Sequence, residues 1–194
     1  MPLLVSLRNL TLPDGSEIMV PDRYLRASDF ADKLGASNNP EWKTVAFDEM
    51  GEIVLPNGSI GFRWGKPDRD DVGKWNLESK EARTDSDVKL RLSLLEDTAK
   101  PETATVGFPY FGGVVNEHFT NNPLKDVAVN AVPVKRLQTA DGEMMVATVF
   151  DLMIAQYGVA RGIEGEKAAS SYDDNHAYTP AWQERITGVP RDQV

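Results

Sequence analysis

The sequence predicts an α+β fold, with short, mainly antiparallel strands through the first two thirds and helices gathered toward the C-terminus. Three observations carry this expectation. Apolar and polar residues alternate over several short runs, the period of a half-buried strand. Gly, Pro and Asn turns separate those runs. Only after Thr148 does the pattern give way to a continuous apolar helix signal, and a second helix signal follows it.

Residues 2–8 form the first candidate strand. A short helix is predicted from Ser28 to Gly35, with Phe30 and Leu34 pointing inward. "KTVAFDEMGEIVLPNG" reads as a hairpin turning near Glu49 to Gly51, and "SIGFRW" sets Ile60, Phe62 and Trp64 on one face. The cleanest alternation is "VKLRLSLL": Val88, Leu90, Leu92 and Leu94 should face the core, and Lys89, Arg91 and Ser93 the solvent. Residues 104–108 and 127–132 are further strands. "VPVKRLQTADGEMMVATV" is a second hairpin, with Asp141-Gly142 supplying the positive backbone angles of a tight turn. "GKPDRDDVGK" and "LESKEARTDSD" offer nothing to bury and are predicted as loops.

Thr148 and Asp151 stand at capping-box spacing before "VFDLMIAQYG", although Asp is shorter than the usual Glu or Gln, and Gly158 closes that helix. Val149, Phe150, Leu152, Met153, Ile154 and Ala155 make it apolar almost all round, so it should be buried on most sides. Thr179 and Pro180 open the next helix, Trp182 and Ile186 share a face, and Gly188 ends it. Pro190 and Asp192 suit the first turn of another helix, for which too few residues remain. A frayed tail and a segment cut from a longer protein both account for this.

The chain of 194 residues is long enough to bury a core, and residues 1–194 are expected to form one domain. A net charge of −9 disfavours nonspecific nucleic-acid binding, which needs clustered Lys and Arg. No apolar run approaches the length of a membrane span, and the N-terminus lacks the basic start of a signal peptide, so no direct membrane insertion is expected. Without cysteine there is no disulfide, no thiol nucleophile, no Cys-type zinc site and no thiolate-held iron–sulfur cluster. His118 and His176 are too few for a histidine-rich metal site.

The candidate chemical features each have a structural alternative. "SYDDNH" brings Asp173, Asp174 and His176 together, as for a metal ion or a general base, or as a turn in which aspartates accept from backbone N–H groups. "DRDDVG", Asp68 to Gly73, resembles the start of a calcium loop, yet Val72 and Ser79 stand where oxygen ligands belong. "FPYFGG", Phe108 to Gly113, could line a ligand pocket or pack at a strand end. Glu117 and His118 are neighbours in sequence only, and Lys135 and Arg136 suit a partner contact or a solvated strand face. There is no P-loop, no dinucleotide fingerprint, no zincin motif and no nucleophile elbow. From the residues alone no reaction follows.

A resemblance adds to this. Thr148 to Leu152 ("TVFDL"), Tyr178 to Trp182 ("YTPAW") and Ile186 to Pro190 ("ITGVP") resemble a pattern of the molybdenum-bis(guanine dinucleotide) oxidoreductases, as do "MPLLV" and "RYLRASDF" at Arg23 to Phe30. Within that superfamily, "NNPEWKTVAFDEMGE", "PNGSIGFRWG", "KWNLE", "LSLL", "VGFPYFGG", "PVKRLQ" and "SYDD" are similar to the catalytic alpha subunit of the membrane-bound respiratory nitrate reductases, in the same order and over nearly the whole chain.

The resemblance implies an internal segment, with residues 177–194 starting the connection to a cofactor-binding domain. The parent subunit would reduce nitrate to nitrite in anaerobic respiration or nitrate assimilation. It would use a molybdenum-bis(molybdopterin guanine dinucleotide) cofactor and a 4Fe-4S cluster, with electrons from quinol. Implied partners are the rest of the alpha subunit, an iron–sulfur beta subunit and a haem-bearing membrane gamma subunit, on the cytoplasmic face. The family's metal ligands, one His and three Cys for the cluster and an Asp for molybdenum, match no position here. No catalytic or metal-binding residue is therefore assigned, Asp173 and Asp174 included, cofactor-binding residues are left unassigned, and the segment alone is expected to be soluble, inactive and cofactor-free. "PDRDDV", covering Asp68 to Val72, resembles an insertion. A related reductase of chlorate or selenate, and a free-standing binding module, are the alternative readings.

Overall fold

The computed structural model describes residues 2–12, 14–33, 43–60, 77–96, 101–109, 127–174, 176 and 178–194. Its centre is a six-stranded sheet. In chain order its strands are β1 (Leu4–Thr11), β2 (Glu17–Tyr24), β8 (Thr103–Pro109), β9 (Val127–Pro133), β10 (Lys135–Thr139) and β11 (Gly142–Thr148). They lie side by side as β10-β11-β1-β2-β8-β9. Every neighbouring pair is antiparallel except β2 and β8, which run parallel with Met19 opposite Val106. The candidate strands at residues 2–8, 104–108 and 127–132 are thus all present.

Consecutive buried residues at the start of β1 and the end of β11 show that the sheet is covered on both faces there. Leu4 and Val146 point to one side, into a cluster with Leu25, Phe30, Val45, Phe47, Leu55 and Leu94. Val5, Leu7 and Ala147 point to the other, against Val106, Phe108, Val132, Val134, Leu152 and Ala155. A strand's side chains must serve opposite faces in turn, so consecutive apolar residues imply a layer on each. The β1–β2 register shifts between Val5 and Leu7. There the buried Ser6 hydroxyl accepts from Arg23 N–H at 3.3 Å and donates to Arg23 C=O at 3.1 Å, replacing ladder bonds lost at the irregularity.

The layer over the first face is built from short pieces. A 3-10 helix (Ala27–Lys33) buries Phe30 and receives Arg26 N–H on the Asp29 carboxylate at 2.7 Å. Leu34 and Gly35 of the helix predicted there lie outside the described residues. Strands β3 (Ala46–Phe47) and β4 (Ile53–Val54) form the expected hairpin, turned by Asp48, whose carboxylate accepts from Met50 N–H and Glu52 N–H. A three-stranded sheet follows: β5 (Pro56–Ile60), β6 (Leu77–Glu81) and β7 (Asp87–Val88), in that order. Phe62 and Trp64 of "SIGFRW", the loop candidate at 65–74 and the calcium-loop candidate at 68–73 lie outside the described residues.

Three expectations need correction. "LESKEARTDSD" is a strand and a tight turn, not an open loop. Glu81, 5% exposed, takes Arg83 N–H at 2.7 Å, Thr84 N–H at 3.0 Å and Arg83 Nε at 2.5 Å, so a polar residue is buried with its partners supplied locally. "VKLRLSLL" is not a strand over its length: Leu94 is in the core and Lys89 in solvent as expected, but the facing is inverted over Arg91, Leu92 and Ser93. β7 ends at Val88, Leu92 is 37% exposed, and Arg91 and Ser93 are both 6% exposed. Arg91 donates from its backbone to Phe47 C=O at 2.9 Å and from Nη2 to Glu49 C=O at 2.7 Å, and Ser93 turns toward Asp151. These fixed acceptors outweigh the period-2 preference. At the β10–β11 hairpin, Thr139 pairs with Gly142, so the linking residues are Ala140 and Asp141. Gly142 takes φ of 118° and Asp141 is not left-handed.

Burial would raise the Glu81 carboxyl, but the Arg83 guanidinium and the backbone N–H groups of Arg83 and Thr84 outweigh it and hold it below the ordinary glutamate range. A carboxyl depressed in the folded state stabilises the fold at pH values above its unfolded pKa, and that stability is lost as pH falls through the folded pKa. Glu81→Gln should therefore cost about 1–3 kcal/mol at neutral pH and much less in acid, from the loss of charge-assisted bonds. Urea unfolding at pH 7 and pH 3 checks this, and an equal loss at both would refute it.

Candidate functional site

A fully enclosed polar group is the carboxylate of Asp151, at the start of helix α1 (Val149–Gln156), which takes four hydrogen bonds. It has no exposed surface. The sequence places it there through a cap. Thr148, in extended conformation, accepts from Asp151 N–H at 3.0 Å, and its hydroxyl donates back to Asp151 Oδ2 at 2.9 Å. The carboxylate then reaches beyond its helix. Ser93 Oγ donates to Oδ1 at 2.6 Å and Leu94 N–H to Oδ2 at 2.9 Å, across 58 and 57 residues of chain. Arg161 Nη1 completes the set, 2.6 Å from Oδ1, with its side chain 13% exposed. Burying a carboxylate requires a counter-charge and filled lone pairs, and this arrangement supplies both.

Arg161 is the first anchor of a connector over residues 159–178, which has no regular secondary structure among its described residues. Its own N–H and that of Gly162 are received by the Glu166 carboxylate at 2.8 and 2.9 Å. Burial would raise Glu166, but those backbone donors, with Ile163 N–H and the Arg161 charge, hold it below the usual range. Asn130 on β9 clamps the next turn: Nδ2 donates to Ala155 C=O at 2.8 Å and Lys167 C=O at 3.0 Å, and Oδ1 accepts from Lys167 N–H at 2.7 Å and Ala131 N–H at 2.9 Å. Gly158, at φ of 67°, turns the chain off α1; a Cβ there would stand 2.7 Å from His176 Cε1. A long loop stays in place only if its backbone groups find such partners.

Asp173, Asp174 and His176 are placed by turns. The Asp174 carboxylate accepts from Ser170 Oγ at 2.8 Å, Ser170 N–H at 2.7 Å and Ser171 N–H at 3.0 Å, and those bonds hold it below the ordinary aspartate range. Asp173 pairs with Arg191 Nη1 at 3.0 Å, while Arg191 Nε also meets Glu184 at 2.6 Å. His176 C=O lies 2.9 Å from the Thr179 hydroxyl, which caps α2 (Pro180–Thr187) by accepting from Trp182 N–H at 3.1 Å. Gly188 ends α2 at φ of 74°, and a single 3-10 turn (Arg191–Gln193) follows Pro190. Among the described residues no three His, Cys, Asp or Glu side chains converge, so these residues do not fit a metal-ligand set.

Helix α1 departs from its expected burial: Met153 is 37% exposed and Tyr157, its C-cap, 53%, while the residue wholly enclosed is the acid. Lys135 stands 4.6 Å from the Phe47 ring centroid, and Arg136 pairs with Glu102 and Glu143, both at 3.0 Å. Phe108 is buried in the core; residues 110–113, Glu117 and His118 lie outside the described residues. Among the described residues, no helix is long and apolar enough to cross a membrane.

No protein-family model matches the chain. Known proteins do. The chain is similar over its whole length to the respiratory nitrate reductase 1 alpha chain of Escherichia coli (strain K12), at 52% identity and covering 15% of that protein. The nitrate reductase alpha chain of Bacillus subtilis (strain 168) is 35% identical over 95% of the chain, and the nitrate reductase alpha subunit of Mycobacterium tuberculosis 35% over all of it, each match covering 14% of the relative. The chain thus spans about 15% of the length of the curated relatives it matches. Identity at this level along the entire segment, in three separate lineages, places the chain in the family of nitrate reductase alpha chains, as a segment of that subunit.

Proposed function

We propose that this chain is an internal scaffold domain, residues 1–194, of the catalytic alpha subunit of a respiratory nitrate reductase, and that residues 177–194 lead into its cofactor-binding domain. The whole subunit reduces nitrate to nitrite: two electrons and two protons enter, and one nitrate oxygen leaves as water. The molybdenum-bis(molybdopterin guanine dinucleotide) and the 4Fe-4S cluster supply the oxygen-transfer and electron-transfer chemistry when bound. In this reading the metal ligands are residues outside this segment, and no residue of the segment is assigned to the cofactor. An iron–sulfur beta subunit and a haem-bearing membrane gamma subunit complete the assembly on the cytoplasmic face.

The observation that carries this reading is the 52% identity extending over the whole chain. What this chain's own residues do is hold shape. Asp151, Ser93, Thr148 and Arg161 tie the sheet, helix α1 and the connector into one buried polar knot. The test is a nitrate assay on the full-length polypeptide that contains this sequence, driven by a reduced viologen dye, with molybdenum measured on the same sample. Nitrite formation with near-stoichiometric molybdenum is expected, and chlorate or selenate reduced in place of nitrate would overturn the substrate assignment.

A further inference from the structure

An aromatic platform stands at the junction of helix α1, the connector and helix α2. The Tyr157 and Tyr178 rings meet edge to face with centroids 5.1 Å apart, and Tyr178 meets Trp182 at 5.2 Å. Tyr157 is 53% exposed and Val159, two residues on, 50%, so apolar surface is left outward at the end of α1, where the rings are held by one another. Tyr178 takes φ of 67° in a non-glycine residue, a left-handed backbone that costs about 1–2 kcal/mol and persists only where surroundings impose it. Here it seats the middle ring of the row.

We propose that this platform is a docking surface for an apolar segment of the same, longer alpha polypeptide. This rests on the reading above that the chain is part of such a subunit. Exposed tyrosines with fixed rings lose little entropy on contact, which suits them as anchors. Size decides between occupants. Aromatic side chains bury about 150–250 Å² each, and these are already partly covered. A platform of three such rings and one valine falls short of the roughly 800 Å² per partner that a stable association between separate chains buries. A segment tethered in the same polypeptide needs no such area, because its effective concentration is high. Most of the relatives' length lies outside the stretch this chain matches, so tethered polypeptide is available.

The experiment uses the full-length alpha polypeptide, with a photo-crosslinking phenylalanine analogue at position 157 and, separately, tyrosine-selective labelling of the unsubstituted protein. Tyr157 should label at least ~10-fold more slowly than in the urea-unfolded chain, as a docked side chain does. The cross-link should join position 157 to a peptide of the same polypeptide outside these 194 residues. Labelling within ~2-fold of the unfolded chain, the level of an open half-exposed ring, would overturn the proposal, as would cross-linking only to a second copy or another subunit. Nitrate reduction, read on the same preparation, separates the two claims: an active enzyme with a reactive Tyr157 sinks the docking surface alone, and an inactive one with a protected Tyr157 sinks only the assigned activity.

Discussion

Asp151→Ala should destabilise the chain by about 3–5 kcal/mol, the loss seen when one partner of a buried ion pair is removed. Three consequences add up at one atom group. Arg161 keeps its charge but Nη1 loses its ion pair and is left with the Ser93 hydroxyl at 3.3 Å, and its buried Nη2 has no acceptor among the described residues. Ser93 Oγ and Leu94 N–H lose the carboxylate that receives them, and each buried donor left unmet adds its desolvation cost. The Thr148 cap survives in part, since its hydroxyl still accepts from the backbone N–H of residue 151. Urea unfolding checks the size of the loss. Replacing both ends together, Asp151→Leu with Arg161→Met, should be far milder than the single change, because no charge is then stranded. If the double variant is as unstable as Asp151→Ala, the pairing account fails.

Phe47→Ala should cost about 3–5 kcal/mol by leaving a cavity beneath the β3–β4 hairpin. The side chain is 1% exposed and packs with Leu4, Leu25, Val45, Leu55 and Val146, joining the hairpin to the sheet. The Lys135 ammonium above its ring would lose its cation–π partner in addition. Phe47→Leu keeps most of the volume and should cost less than half as much, which distinguishes lost packing from a general intolerance of change. Equilibrium unfolding of the two variants checks this, and equal losses would contradict it.

Local signals were legible in the sequence wherever one residue and its near neighbours settle the geometry. Thr148 and Thr179 cap their helices, the β3–β4 hairpin turns near Glu49 to Gly51, and Gly158 and Gly188 leave their helices at positive φ. What failed was local pattern read where distant partners decide. Ser93 and Arg91 were expected in solvent because they alternate with leucines. They are buried because Asp151 and the carbonyls of Phe47 and Glu49 receive them. Glu81 failed differently: its partners Arg83 and Thr84 are local, but a run of charged residues does not show which one folds inward. The Asp151 site was half visible: its spacing from Thr148 marks a cap, but nothing in the sequence joins it to Ser93 or Arg161. The family was legible because it rests on many short blocks in order rather than on one site, and the relatives agree with it along the whole chain.

In the function proposed above, this segment supports a catalytic subunit without touching the reaction, with Asp151 as the buried tie. The direct test is Asp151→Asn in the full-length polypeptide, with folded fraction and nitrate kinetics measured on the same sample. The expected result is a fall in folded, active enzyme with the KM for nitrate and the kcat per folded molecule within ~2-fold of the parent, the signature of a group outside the transition state. A fully folded variant whose kcat falls ~100-fold would contradict it, since that pattern belongs to a residue acting in the reaction itself.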